Sequence, residues 1–265
     1  MNKRPIGVFD SGIGGLTILR ALRKALPHEH FVYFGDTANV PYGGKSKTAV
    51  TRLSLTVARF LETQQVKLIV VACNTASAQA LPTLRKHLQV PVLGVILPGA
   101  QAAVSATRNK KIAVLGTQGT VESNAYVKAI KKYDPHMRVF QQACPLFVPL
   151  AEEGFARTPA AELIARTYLS SVQKSGADTV ILGCTHYPIL KPLIGKILGP
   201  QITLVDSADV LAQAAKNFLQ THQLAATGRG GLKLYASDAP EKFTRAAHKL
   251  LNEKLAHASL KKLSA

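Results

Sequence analysis

Short apolar runs, rich in valine and isoleucine, recur down the whole chain with helical patterns between them. That alternation restricts the fold more than any other feature. The runs are IGVF, HFVYFG, VKLIVVAC, PVLGVI, KIAVLGT, MRVFQQA, DTVILGC, QITLVD and LKLYAS. Strands alternating with helices predict a mostly parallel sheet, because a parallel pair needs a long crossover, usually helical. The runs lack clean polar alternation, the pattern of strands covered on both faces. Between them, LTILRALRKAL ends at Pro27, and residues 45–64 carry apolar side chains at helical spacing. A last helix is expected around Pro240, with Asp238 and Glu241 as a capping pair and Phe243, Ala246, Ala247, Leu250 and Leu251 on one face.

The beginning of the chain is echoed in its middle: IGVFDSGIGG from Ile6 resembles IAVLGTQGTV from Ile112. Each is followed, after a similar interval, by an apolar run ending in cysteine, LIVVACNTASA at Cys73 and TVILGCTHYP at Cys184. The fold class expected is α/β, as two similar lobes, each a mostly parallel sheet flanked by helices, related by a pseudo-twofold with the site between them. The echo, together with the family likeness that the motifs below carry, implies a first lobe of residues 1–97 and 207–265 and a second of residues 98–206. Two crossings between lobes would permit hinge motion. Open α/β sheets bind ligands at the carboxyl ends of their strands, so facing lobes would bring Cys73 and Cys184 to opposite sides of one cleft.

The 265 residues are 47% hydrophobic, enough for one large core or two ordinary ones. The longest apolar stretch is interrupted by Pro91, Gly94 and Pro98, which excludes a membrane span there, and Asp10 interrupts any signal-peptide core. The three cysteines, Cys73, Cys144 and Cys184, make neither a disulfide framework nor a zinc pattern, and a reducing cytoplasm is expected. The 33 Lys and Arg against 15 Asp and Glu leave a net charge of +18. These cations occur as singles and doublets such as Arg23-Lys24 and Lys131-Lys132, without stacking aromatics. The pattern predicts non-specific affinity for polyanions rather than a dedicated nucleic-acid site.

A cysteine on a buried strand is by default an inert small hydrophobe, the reading taken for Cys144. Cys73 and Cys184 each sit where a strand stops and a helix is expected, and exposed N–H groups at a helix start lower a thiol from about 8.5. Two opposed cysteines can invert a carbon stereocentre: a thiolate removes a proton from one face and a thiol delivers one to the other. A carbon acid beside a carboxylate is weak, so such a site needs fixed donors aimed at the developing charge. Asn74, Thr75, Thr185 and local N–H groups are candidates to hold a substrate carboxylate. Asp10, Glu152 and His186 are candidates to tune the thiols or relay protons.

At these residues the sequence resembles the glutamate racemases of the aspartate/glutamate racemase superfamily. The motifs GVFDSGIGGLTIL, YFGDTANVPYGGKS, VVACNTASA, GVILPGAQAA, IAVLGTQGTVES, CPLFVPLAEEG, ILGCTHYPIL and LVDSADVLA carry the likeness nearly end to end. The resemblance implies that Cys73 and Cys184 are the acid/base pair, acting on the D- and L-enantiomers respectively. It implies that Asp10 assists Cys73, that Glu152 and His186 assist Cys184, and that glutamate touches Asp10, Ser11, Tyr42, Gly43, Asn74, Thr75, Thr185 and His186. It further implies no cofactor, no metal, a homodimer, and D-glutamate supplied to peptidoglycan in a bacterial cytoplasm. The chain starts almost at its first strand, so an N-terminal extension for an activator is not expected.

Other readings use the same residues. DSGIGGL has the glycines of a dinucleotide loop but lacks the third of GxGxxG, and Asp10 has an alternative as a turn or capping residue. CTH suits a cysteine hydrolase with His186 as base, which leaves Cys73 without a role. A pyridoxal-phosphate racemase has no binding motif here. An aspartate racemase or related isomerase, and a basic DNA- or polyanion-binding protein, are the remaining alternatives.

Overall fold

The computed structural model describes residues 3–253 and 256–263, so residues 1–2, 254–255 and 264–265 of the expected first lobe lie outside the described residues. The strands are β1 (Ile6–Asp10), β2 (His30–Gly35), β3 (Leu68–Val71), β4 (Val92–Gly94), β5 (Lys111–Gly116), β6 (Arg138–Ala143), β7 (Thr179–Gly183), β8 (Thr203–Asp206), β9 (Gly231–Ala236) and β10 (Ser259–Leu260). They form a six-stranded sheet in the order β10–β9–β2–β1–β3–β4 and a four-stranded sheet in the order β6–β5–β7–β8. All pairings among the described residues are parallel. The inner order β2–β1–β3–β4 is therefore repeated as β6–β5–β7–β8, which gives the sequence echo a structural meaning. Ile6 lies between Phe31 and Leu68, and Ile112 between Val139 and Thr179. In both sheets the chain leaves the central strand for one neighbour and then crosses to the other, the arrangement in which open α/β sheets place ligand sites at the carboxyl ends of their strands.

Central β1, β3 and β7 are buried along their whole length, whereas edge strand β6 is partly exposed throughout. The sequence left open whether there is one core or two. A continuous apolar core joins the two sheets: Ile6, Val8, Leu16 and Tyr33 are packed in one cluster with Ile112, Val114, Tyr126 and Ile181. The helices Ile96–Ala106 and Ser207–Thr221, which follow the expected crossings, contribute Ala100, Ala103, Leu211 and Ala215 to it. Separate clusters lie on the outer faces, one under the helix Lys47–Thr63 and one under Pro159–Ser175. A shared apolar interface holds the lobes together more firmly than a flexible linker does.

One local expectation is corrected here. Asp238 does not cap the last helix, Pro240–Leu251: its N-cap is Ala239 in the left-handed region (φ 46°), with no side-chain cap hydrogen bond. Asp238 instead bonds through its backbone to Thr37, donating its N–H and accepting the threonine hydroxyl, so a tertiary contact displaces the local cap. The two-residue β10 was too short to announce itself by pattern. A buried ion pair, Lys67 Nζ to Glu29 at 2.6 Å, secures the connector into β9, because Lys67 also donates to Leu224 O and Glu29 accepts from Ala226 N–H. No helix among the described residues is long and apolar enough to cross a membrane.

Candidate active site

Cys73 follows β3 and is the N-cap of the helix Asn74–Gln79, its Sγ accepting from the Ala76 N–H at 3.5 Å. Its S–H donates to Ser11 Oγ at 3.9 Å. The residues after it are Asn, Thr, Ala and Ser, which suit a helix start better than a continued strand. The expected lowering of this thiol does not result. Burial first, then the Asp10 carboxylate and the neighbouring Cys184, push Cys73 up to about 12 against the opposing Ala76 and Ser11 hydrogen bonds. Only 5% of the residue is exposed, and desolvating a thiolate costs more than one N–H at a six-residue helix returns.

Cys184 follows β7 directly, but no α-helix starts there. The chain makes a 3₁₀ turn, Tyr187–Leu190, with Pro188 in it, and the α-helix Lys191–Leu198 comes after. The partner of Cys184 is a side chain: Sγ lies 3.8 Å from His186 Nδ1, and His186 Nε2 lies 3.0 Å from Glu152 Oε1. Burial works against a charged imidazole, but hydrogen bonds to Cys184 and Glu152, then the charges of Cys184 and Asp10, push His186 up to about 10. The imidazolium can donate from both nitrogens at once, to the sulfur and to the carboxylate.

The remaining residues stitch these two ends together. Asp10, fully buried at the end of β1, accepts from Gly12 N–H at 3.0 Å and from Thr185 Oγ1 at 3.2 Å. Burial raises its carboxyl, with His186, the Gly12 and Gly15 N–H groups and Thr185 pulling the other way. Thr75 Oγ1 lies 2.8 Å from Thr117 Oγ1, and Thr117 lies 3.0 Å from Thr120. Asn74 Nδ2 donates to the Tyr126 hydroxyl at 2.8 Å. Tyr42 gives its hydroxyl to the buried Asp36 at 2.6 Å, and Gly43 O accepts from Gly119 N–H at 2.9 Å. A Cβ on Gly43 would stand 2.6 Å from Thr117 Cβ, so the close approach of the two loops needs a glycine.

All eleven residues singled out from sequence thus lie at the junction of the sheets. Thr117, Thr120, Gly119, Tyr126 and Asp36 were missed. For the first three the echo held a signal: LGTQGT is the counterpart of FDSGIGG, at the end of β5 as that loop is at the end of β1. Cavity size alone points elsewhere. A groove of about 690 Å³ bordered by Arg157, Glu162, Leu163 and Lys196 contains neither cysteine, and Lys45, Lys47, Lys128 and Lys132 border another of about 580 Å³. Cys73 and Cys184 are both buried, so the candidate site is marked by its residue types rather than by an open cavity. Among the described residues no group of three or more His, Cys, Asp or Glu is placed to hold a metal ion.

The comparisons with known proteins agree with one another. A family model described as Asp/Glu/Hydantoin racemase matches residues 15–215. A curated glutamate racemase from Geobacter metallireducens is 50% identical over 254 residues, 95% of this chain and 94% of that one. Glutamate racemase isoform RacE1 from Bacillus anthracis superposes with a TM-score of 0.93 at 35% identity, covering 98% of this chain and 97% of that one. The Francisella tularensis glutamate racemase, solved in complex with D-glutamate, gives a TM-score of 0.92 at 38% identity and covers 98% of each chain.

Proposed function

The chain belongs to the Asp/Glu/hydantoin racemase family and is an amino-acid racemase, and from that premise we propose that it interconverts L- and D-glutamate by a two-cysteine mechanism without a cofactor. The observation that carries this reading is the pair of cysteines at equivalent strand ends, with Asp10 beside one and His186–Glu152 beside the other. In the direction from L-glutamate, Cys184 as thiolate takes the α-proton, and the electron pair left on carbon is delocalised into the carboxylate. Cys73 donates its S–H to the opposite face, which leaves Cys184 as thiol and Cys73 as thiolate, the form that accepts D-glutamate. A thiol held near 12 is a proton donor at rest, and the raised imidazole of His186 lies 3.8 Å from the sulfur of Cys184.

Asn74, Thr75 and Thr185, with the N–H groups at the start of the helix after Cys73, hold the substrate carboxylates, and Ser11, Tyr42 and Gly43 complete the pocket. Asp10 assists Cys73, and Glu152 acts through His186. Relatives at 45–50% identity are named glutamate racemases, which favours glutamate over aspartate. The product would serve peptidoglycan synthesis in the cytoplasm. A homodimer is part of the same proposal; exposed Leu146, Phe155 and Leu163 offer apolar surface for it, and a monomeric mass in solution would remove it. The deciding experiment incubates the protein with L-glutamate and, separately, L-aspartate in deuterated water, following α-proton exchange and circular dichroism. Glutamate should exchange and lose its optical signal. Exchange of aspartate alone, or full activity in Cys184→Ser, would overturn the proposal.

A further inference from the structure

Tyr126 is fully buried on the helix Ala125–Tyr133 of the second sheet, and its phenol touches the neighbours of both cysteines. The hydroxyl accepts from Asn74 Nδ2 at 2.8 Å, one residue after Cys73. The ring carbon Cε2, next to the one that carries the hydroxyl, faces Gly183, one residue before Cys184, where a Cβ would lie 3.1 Å from it. The hydroxyl is also 3.4 Å from Ser207 Oγ, the first residue of the helix that follows β8. Gly99, in the helix Ile96–Ala106, closes the slot: a Cβ there would stand 2.9 Å from Ser207 Oγ and 3.3 Å from the phenol oxygen. The phenol therefore sits between the two strand ends and beside both segments where the chain passes between the sheets.

We propose that Tyr126 is a positioning residue: its hydroxyl fixes the Asn74 amide, and Ser207 and Gly99 at the inter-sheet crossings hold the phenol in place. A primary amide on a strand-end helix can rotate. Donating one N–H to a phenol anchored in the apolar core removes that freedom before substrate arrives, so the cost of ordering is met in folding rather than in binding. The role rests on the reading that Asn74 contacts the substrate. It assigns Tyr126 no proton transfer, only the placement of a group that binds.

Kinetics of Tyr126→Phe, Asn74→Ala, the double variant and Gly99→Ala test it, with KM and kcat measured separately in both directions and thermal unfolding recorded for each. Tyr126→Phe should raise KM for both enantiomers about tenfold, the scale of one buried hydrogen bond, and change kcat by less than about threefold. The double variant should be no worse than Asn74→Ala alone, since the hydroxyl acts through that amide. Gly99→Ala, which keeps the hydroxyl but crowds it, should give the same rise in KM. Independent multiplication of the two single effects would overturn the inference. So would a Tyr126→Phe variant with lowered thermal stability and an unchanged KM. A wild-type protein that racemises neither enantiomer of glutamate would instead overturn the functional reading on which it stands.

Discussion

Cys73 and Cys184 occupy equivalent ends of equivalent strands, yet their surroundings hold them in opposite ways. Cys73 caps a helix, lies beside a carboxylate and is pushed up to about 12. Cys184 caps nothing and faces an imidazole whose other nitrogen is held by Glu152. A repeated fold supplied two symmetric positions, and the loops that follow β1 and β7 made their electrostatics unequal. Each turnover needs one thiol and one thiolate, and the surroundings of Cys73 keep the proton there at rest.

The largest effects should come from the sulfurs. Cys73→Ser and Cys184→Ser are each expected to lower kcat/KM by at least about a thousandfold, as befits loss of a positioned acid or base. Wild-type turnover in either would break the comparison, as read by circular dichroism with each enantiomer. Next is Gly43→Ala, whose added carbon would lie 2.6 Å from Thr117 Cβ. Pushing the two loops apart should cost about a hundredfold in kcat/KM while the protein still folds. An active Gly43→Ala variant would show that this close contact is dispensable.

Glu152→Gln sharpens the inequality itself, with an expected loss of about tenfold from L-glutamate and less from D-glutamate. Its pH profile is more informative. His186 is raised from its ordinary 6.5 to about 10, so the imidazolium and its contribution to stability are complete below about 6.5 and are lost as pH rises through about 10. Wild-type activity should fall on that basic limb, and the limb should move to lower pH in Glu152→Gln. An unmoved limb would detach Glu152 from the site. The smallest effect belongs to Cys144, fully buried and pushed upward by burial and then by Cys184. Cys144→Ala should leave turnover within about twofold and cost about 1 kcal/mol of stability, read from denaturant unfolding.

Much of this was legible because it rests on short-range pattern. Apolar runs separated by helical spacing announced β1 to β9, and the repeat of IGVFDSGIGG in IAVLGTQGTV anticipated the repeated strand order. The cysteines could be singled out because both end such runs. What failed were statements about local partners. Asp238 looked like a cap until Thr37 claimed its backbone, and Cys73 looked activated until burial and Asp10 were counted.

By itself, the sequence determined the α/β class, the two-part repeat and the residue types that meet at the carboxyl ends of the strands, since periodicity and strand-end position depend only on neighbours along the chain. Tertiary structure alone decided that one core spans both sheets, that Tyr126 lies between the two cysteine-bearing ends, and that one thiol is held protonated while the other faces a cation. Those outcomes depend on burial and on charges brought together from distant parts of the chain, such as Asp10 with Thr185 and Glu152 with His186. Desolvation and Coulomb energies are set by such three-dimensional neighbours, which spacing along a sequence does not encode.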